Sequence, residues 1–397
     1  MRAIFLLLLL LSSSLVLHAK KFTVETRSTA SLRAKLIAKN QLHQYVEKER
    51  LRRVPNVLKS ISEPLQDQLD SFYVAEVEIG TPGQRLLLAM DTTVAMIWVV
   101  DSDCTSVVCN GYPDSEYSKH KYNRSESSTA VKLEAGFFIR YGNGLCEGYL
   151  VKDIATFSGI NVTTQEIGAA TYIDDSFGHQ PIDGIFGLGW PGYALDNQNA
   201  PLRDIVSQLD EPIFTIWLDR MVSAVNGGDA GRITFGGFDN EHCESEIRYV
   251  PLTDRLIWEF SVDGFSIGPS KRLQKHEGCS ASAESWIGAP KYVVDEIVKT
   301  TRALYDRRNN VYTVDCTSTL PDFVIIIGGV NYPIPSTEYA IDLGLGGGKC
   351  VLTFVPMDTV EFRAPWVLGY TFIRNFCNVY DIQGQRIGFS RAKHNHI

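Results

Sequence analysis

Long apolar runs are scarce in this chain. The run Ile4–Leu11 is too short to span a bilayer, and no other stretch approaches 18 apolar residues, so we expect no membrane span. The eight histidines show no spacing typical of a metal site, and we expect neither a metal nor another cofactor. The glycine-rich segment 344–350 misses the spacing and closing residue of a phosphate-binding loop, and we interpret it as a turn before a strand.

Basic charge is concentrated in one segment. From Lys20 to Leu65, 11 side chains are basic and 4 are acidic, whereas the whole chain has 38 Lys and Arg against 46 Asp and Glu. A basic leader therefore precedes an acidic body that would repel phosphates, so we expect no nucleic-acid partner. The leader is either a solvated lysine-rich helix or a segment that docks on the body by charge complementarity.

The N-terminus resembles a secretory signal peptide over residues 1–19. Arg2 supplies a positive charge, an apolar run follows, and the segment ends at a small-residue cut site, Ala19. A secretory route permits disulfides among the eight cysteines. It also makes the sequons at Asn123 and Asn161 candidate glycosylation sites. We expect an extracellular or lysosomal protein.

The spacing of apolar residues changes along the chain. Leucine and isoleucine recur at helical spacing over Ser31–Arg53, and Pro55 ends that pattern. From Phe72 onward, short β-rich runs alternate with Gly, Pro, Asp and Asn, with at most a short surface helix over Asp295–Tyr305. Phe323 to Val330, with two glycines in the middle, predicts a tight hairpin. The body is predicted to be mostly antiparallel β.

A weak internal repeat relates the two halves of the body. Asp91 follows an apolar strand, and Gly187 closes another apolar run 96 residues later. Ala281 stands in a matching context, and Gly369 closes a run 88 residues after it. Two similar β lobes with a boundary near Asn240 explain the repeat. The first loop thus carries an acid where the second carries an alanine.

Seven segments together resemble the pepsin and cathepsin D family of aspartic proteases, peptidase A1. They are Ile79–Pro82, Asp91–Thr92 with Ile97–Val99, Tyr141–Gly144, Asp183–Trp190, Phe235–Gly237, Ser285–Pro290, and Trp366–Gly369 with Phe372–Arg374. Each is weak alone, but their order and spacing extend the resemblance over nearly the whole chain. It implies an all-β, bilobal fold with a cleft between the lobes and a flap hairpin over it. The implied divisions are a signal peptide (1–19), a basic propeptide (20–67), an N-terminal lobe with the flap (68–240) and a C-terminal lobe (241–397).

The resemblance also implies a reaction that this chain is poorly equipped to perform. Family members use two facing aspartates that share a proton, so that one activates water while the other donates to the scissile carbonyl. Each aspartate heads an Asp-Thr-Gly triplet. Here the first loop keeps Asp91 and Thr92 but has Thr93 for glycine, and the second loop reads Ala281–Glu284, Ala-Ser-Ala-Glu. Tyr370 replaces a further aspartate that usually follows Leu-Gly.

Other parts of the cleft match the family pattern. Thr92 and Ser282 keep hydroxyls for a hydrogen-bonded link between the two loops. Tyr141, followed by Gly142, matches the flap tyrosine, and Trp98 matches the tryptophan that supports the flap. The alternatives are that Trp98 is an ordinary core aromatic and Tyr141 an ordinary strand residue. Asp91 is either a surviving catalytic group or a buried carboxylate kept for its loop hydrogen bonds.

Two disulfides follow from the resemblance, Cys104 with Cys109 and Cys316 with Cys350. Four cysteines remain, with three possible pairings. Our hypothesis is a Cys243–Cys377 bond, because both should lie near the sheet that joins the lobes. Cys146 and Cys279 are then free thiols.

Three functions fit the sequence. The first is a protease homologue that is inactive or strongly impaired, and that binds a peptide or protein ligand, or its own propeptide, in the cleft. The second is a residual aspartic endopeptidase, active at acid pH, in which Glu284 substitutes for the missing acid. The third is an interaction protein that uses its outer surface. We expect a monomer in each case, and whether the chain is an enzyme stays open.

Overall fold

The structure is a computed structural model that describes residues 21–29, 31–53, 72–141, 144–193, 200–220, 228–357 and 364–394. The predicted signal peptide lies outside the described residues. So do Gly142 and most of the junction between the predicted propeptide and the first lobe.

The leader and the first half of the body contain ten strands and five α-helices. They are β1 (Phe22–Ser28), α1 (Leu32–Ala38), α2 (Leu42–Arg53), β2 (Tyr73–Ile79), β3 (Gln84–Asp91), β4 (Ile97–Val100), α3 (Val107–Asn110), β5 (Val131–Tyr141), β6 (Gly144–Phe157), β7 (Ile160–Ile173), α4 (Asp175–Gly178), β8 (Gly184–Gly187), α5 (Pro201–Val206), β9 (Ile213–Leu218) and β10 (Gly228–Phe235). These numbers refer to the described residues.

The second half is also mainly strand. Its elements are β11 (Arg248–Pro251), β12 (Glu259–Ile267), β13 (Ser270–Ser280), β14 (Ile287–Pro290), α6 (Lys291–Thr301), β15 (Leu304–Asp306), β16 (Val311–Asp315), β17 (Phe323–Ile327), β18 (Val330–Ile334), α7 (Ser336–Tyr339), β19 (Ala340–Ile341), β20 (Lys349–Leu352), β21 (Phe354–Met357), β22 (Trp366–Leu368), α8 (Tyr370–Ile373), β23 (Phe376–Asp381) and β24 (Arg386–Arg391).

Three sheets organise the described strands. The largest has 13 strands in the order β11-β24-β23-β9-β10-β1-β2-β3-β8-β4-β7-β6-β5, so strands from both ends of the chain share it. A second sheet has the order β18-β17-β12-β13-β22-β14-β21, and a third has β15-β16-β20-β19. The all-β expectation is confirmed, and a buried aromatic core that includes Phe214, Trp258 and Tyr380 links the first two sheets.

The two loops singled out in the sequence occupy equivalent places. β3 runs parallel to β8 with Asp91 opposite Gly187, and β13 runs parallel to β22. After each loop a short strand pairs antiparallel with that same neighbouring strand: β4 pairs with β8, and β14 pairs with β22. A Cβ on Gly369 would lie 2.3 Å from the carbonyl oxygen of Glu284, so glycine is needed for the chain to pass this closely. The internal repeat is therefore a repeat of loop architecture.

Some of the predictions for single helices and hairpins are confirmed, and others need correction. The hairpin is confirmed, because Ile327 pairs with Val330 across two glycines with positive φ. The helical segment of the leader is broken into α1 and α2. The surface helix begins and ends four residues earlier than predicted, because Val293, Val294 and Ile297 form its buried face and a strand already starts at Leu304. No helix in the described part of the chain is long and apolar enough to cross a membrane.

Candidate active site

Asp91 is a buried carboxylate at the end of β3. Its side chain and backbone together are only 2% exposed. Its Oδ1 accepts hydrogen bonds from the Thr93 backbone N–H at 2.7 Å and from the Thr93 Oγ1 at 2.6 Å. Burial raises the pKa of Asp91, and the two bonds from Thr93 oppose that rise. The threonine that replaces the family glycine therefore serves as a hydrogen-bond donor to the acid.

A reciprocal set of hydrogen bonds joins the two loops. The Thr92 backbone N–H donates to Ser282 Oγ at 3.0 Å, and the Ser282 backbone N–H donates to Thr92 Oγ1 at 3.0 Å. Each hydroxyl then donates to a carbonyl on the opposite lobe, Thr92 to Ser280 at 2.9 Å and Ser282 to Met90 at 2.7 Å. The link between the lobes is complete with serine in place of the second threonine.

Ala281 is the residue predicted to replace the second acid. It is fully buried, and its methyl group belongs to an apolar cluster with Ile257, Cys279, Ala364 and Val367. The Ala281 backbone N–H donates to Leu368 O at 3.1 Å. The loop is thus held by its backbone, while its side chain provides an apolar surface instead of a charge.

Glu284 is half-buried in the same loop. Its backbone N–H donates to Ala281 O at 3.3 Å and its carbonyl accepts from the Tyr370 N–H at 2.8 Å. Burial raises the pKa of both Tyr370 and Cys279, and the negative charges of Asp91 and Glu284 each raise them further. Both carboxylates therefore act on the same two buried groups.

The flap hairpin is formed by β5 and β6. Tyr141 ends β5 and pairs with Gly144 through the backbone. Trp98 is 1% exposed and belongs to an apolar cluster that also contains Ile139 of β5 and Cys146 of β6. Its ring meets Phe177 edge to face at 5.2 Å. The tryptophan thus lies in the packing beneath the hairpin.

Comparison with known proteins decides the family. The family model "Eukaryotic aspartyl protease" matches residues 72–392. The chain is 42% identical to "Aspartic protease 1" of Caenorhabditis elegans over 375 residues, covering 94% of each chain. It is 30% identical to "Cathepsin E" of Mus musculus, covering 98% of each, and 29% identical to "Gastricsin" of Homo sapiens, covering 82% of each. The chain belongs to the eukaryotic aspartyl protease family.

All three disulfides expected for this family member are present. They join Cys104 to Cys109, Cys243 to Cys377 and Cys316 to Cys350. Cys146 and Cys279 are free and buried. The hypothesis that chose Cys243–Cys377 among three pairings is confirmed.

The two sequons lie in different settings. Asn161 is exposed on β7, where its Oδ1 accepts a hydrogen bond from Thr156. Asn123 is half-buried, and its amide nitrogen donates to Glu126 at 2.8 Å. Glycosylation at either position stays a prediction, and the exposure favours Asn161.

Sequence reasoning missed a polar support beneath the loops. Tyr380, fully buried in β23, shares a 2.7 Å hydrogen bond with Ser280 Oγ, and the Asn378 side chain donates to the same Ser280 at 2.6 Å. The Tyr380 ring stacks on Phe214 at 4.3 Å. Ser280 directly precedes Ala281, so the shared sheet holds the second loop from below. Tyr380 and Asn378 lie about 100 residues from Ser280 in sequence, and no local pattern connects them.

Tyr370 links the start of the first lobe to the second lobe. Its hydroxyl accepts a 3.1 Å hydrogen bond from the Tyr73 backbone N–H, and the two rings meet edge to face at 4.5 Å. At this position the resemblance to the family predicts an aspartate. Tyr370 places a buried, neutral hydroxyl near the loops, because burial raises the pKa of Tyr370 far above its ordinary value.

We expect Asp91→Asn to change the pH dependence of stability. Burial of the Asp91 carboxyl group determines the direction of that change. The pKa of Asp91 is raised in the folded state above its ordinary value of 3.8, so the folded protein binds the proton more tightly than the unfolded chain does. The free energy of unfolding of the wild type should therefore fall, relative to Asp91→Asn, as pH rises from about 4 through the raised pKa. Denaturant unfolding of both proteins across this range measures the difference, and a wild-type stability that rises with pH relative to Asp91→Asn would contradict the assignment.

Proposed function

We propose that this chain is a secretory-pathway aspartic protease homologue in which peptide-bond hydrolysis is lost or strongly impaired, and which binds an extended peptide in its cleft. The observation that supports the proposal is the apolar packing of Ala281 in the loop that is hydrogen-bonded to the Asp91 loop. A lone carboxylate cannot divide water activation and carbonyl polarisation between two groups. Loss of one member of a cooperating catalytic set commonly costs on the order of 10⁴-fold or more in rate.

The rest of the cleft favours retained binding. The reciprocal bonds between Thr92 and Ser282 hold the two loops together, and Trp98 remains packed under the β5–β6 hairpin. These buried polar groups are paired, so the two loops are held in a defined arrangement without a second acid. An ordered cleft that lacks a catalytic pair is the arrangement expected of a binding protein.

Two measurements on the purified full-length chain test this proposal. The first is cleavage of a denatured protein substrate at about pH 3–5, for which we expect no difference between the wild type and Asp91→Asn. The second is binding to a library of extended peptides, with Tyr141→Ala compared against Tyr305→Ala, an exposed tyrosine on β15. We expect binding to weaken for Tyr141→Ala alone. Equal binding by both variants would instead place the interaction on the outer surface.

A second candidate, residual endopeptidase activity, has one observation in its favour. Asp91 and Glu284 both act electrostatically on Tyr370 and Cys279, so the two carboxylates share one neighbourhood. If Glu284 supplies the second acid, then cleavage at acid pH will be abolished by Glu284→Gln as well as by Asp91→Asn. Cleavage that survives Glu284→Gln but not Asp91→Asn rejects this role for Glu284.

A further inference from the structure

We propose that residues 392–394 form an acid-tightened clasp, in which His394 as an imidazolium joins the two lobes and loosens its hold when the ring becomes neutral. This inference concerns the segment after β24 and does not depend on whether the cleft hydrolyses peptides. It rests on the two atoms that the imidazole meets, on the burial of the ring and on the charges around it.

The backbone of residues 392–394 lies against the largest sheet. The Lys393 backbone N–H donates to His242 O at 2.7 Å, and the Trp217 indole N–H of β9 donates to Lys393 O at 3.1 Å. The Lys393 ammonium group donates to Asn240 O at 3.0 Å. Indole and backbone groups do not titrate, so these contacts place the next side chain at the end of β9 whatever the pH.

The His394 imidazole meets an acceptor at each ring nitrogen. Its Nδ1 lies 2.9 Å from Asp219 Oδ1, and its Nε2 lies 2.7 Å from Arg374 O. An ionised carboxylate and a backbone carbonyl can only accept. A neutral imidazole has one N–H, so it would satisfy one of these oxygens and point a lone pair at the other, whereas an imidazolium donates to both. The geometry therefore fits the doubly protonated ring.

The site is too buried for water to replace a lost hydrogen bond easily. The side chain of His394 is 10% exposed and that of Asp219 is 23% exposed, while Arg374 as a whole is 5% exposed. A buried acceptor that loses its donor carries a desolvation cost that an exposed one does not. A change of charge on the imidazole therefore has a structural consequence.

The charges around the imidazole leave Asp219 as its acidic partner. Glu338, the other acid beside Arg374, pairs with the Arg374 guanidinium at 3.1 Å and with that of Arg220 at 3.3 Å. The Arg220 backbone N–H donates to Asp219 Oδ1, and the Tyr73 hydroxyl donates to Asp219 O. Burial raises the pKa of Tyr73, so this hydroxyl stays neutral.

A second histidine nearby has contacts that do not require a charge. The Trp217 ring lies 4.2 Å from the ring of His242 and 6.2 Å from that of His394. His242 Nδ1 meets the two Asp239 oxygens at 2.9 and 3.1 Å, and its Nε2 lies 3.8 Å from the exposed Glu241 carboxylate. A neutral ring with its proton on Nδ1 satisfies Asp239. His394 is therefore the histidine of this pair whose contacts depend on protonation.

The direction of the pH effect follows from these contacts. Histidine side chains change charge between about pH 5 and 8, so both hydrogen bonds of His394 are present on the acid side and one is lost on the neutral side. Arg374 follows α8, and the Tyr370 N–H at the start of α8 donates to Glu284 O in the second loop at 2.8 Å. Acid therefore tightens the segment that leads away from the second loop.

The test measures hydrogen exchange by NMR on the labelled full-length protein at about pH 5 and about pH 8. Protection factors remove the intrinsic pH dependence of exchange, and the Ser128 amide, which donates to Thr81 O at 2.9 Å, is the reference. We expect protection of the Lys393 amide, relative to Ser128, to fall roughly tenfold from the lower to the higher pH, the effect of about one hydrogen bond. An unchanged ratio, or one that rises with pH, overturns the proposal.

Two variants assign the effect to the imidazole. His394→Asn keeps a neutral donor near the place of Nδ1, and His394→Gln keeps one near the place of Nε2, so neither can change charge. We expect Lys393 protection in both to be independent of pH and close to the wild-type value at about pH 8.

The matched control is His120→Gln. His120 also meets an acid, Asp183, at 3.0 Å, but its side chain is 65% exposed. We expect this variant to keep the pH dependence of the wild type. PH dependence that is lost in His120→Gln and kept in the His394 variants would reject the clasp. If the His394 variants fail to fold, the wild-type comparison at two pH values decides the proposal by itself.

Discussion

Thr93→Gly, Ala281→Asp and Ala283→Gly together should produce acid-dependent proteolysis well above that of the wild type. The new carboxylate would face Asp91 across loops already held by Thr92 and Ser282, and the pair would share a proton. Because losing one such member commonly costs on the order of 10⁴-fold, we expect a gain of at least roughly 10²-fold. The readouts are cleavage of added denatured protein and trimming of the chain before residue 72, both at about pH 3–5.

The matched control carries the same two glycines with Ala281→Asn. Asparagine has the shape of aspartate but cannot ionise, so it separates the effect of the charge from that of the altered loop. Equal cleavage by the Asp and Asn versions would contradict the assignment of Ala281 as the lost acid. Activity gained only with Asp would show that the two lobes, their link and the flap still form a working scaffold.

Removing the Cys243–Cys377 disulfide should cost the most stability of the three bonds. The bond spans 134 residues, against 34 for Cys316–Cys350 and 5 for Cys104–Cys109. On the chain-entropy model, the losses are about 5, about 4 and about 2 kcal/mol, because a longer loop constrains the unfolded chain more. Both cysteines of each pair are replaced by alanine, and denaturant unfolding at neutral pH measures the three losses.

The position of this bond in the fold adds to its expected effect. Cys243 and Cys377 are fully buried beside Trp217 and Ala392, where the bond ties β23 of the shared sheet to the segment after β10. The Cys104–Cys109 variant is the internal control, since it removes the same chemistry from a short surface loop. Equal losses for all three pairs would show that loop length does not govern the stabilisation here.

Much of the candidate site was predictable because its parts are local in sequence. Asp91, Thr92 and Ser282 were identified from loop motifs, and each is placed by the strand that precedes it. The hydrogen bond from Thr93 to Asp91 was not predicted, since the family pattern has glycine there. The roles of Tyr380 and Asn378 were also missed, because their partner Ser280 is about 100 residues away. A β pattern specifies that a strand forms and which face is buried, but not which strand it pairs with.

The sequence by itself determined the family, the all-β bilobal fold and the two loops, and it predicted the loss of the second acid, because short motifs at fixed spacing specify all of these. It also determined that a basic leader precedes an acidic body. Only the tertiary structure decided that this leader contributes an interior strand to the largest sheet and packs Ala34 and Arg33 against Trp286. The charge of a segment can be counted from its composition. Strand partners and buried contacts form between residues more than 200 positions apart in sequence, and no local pattern encodes them.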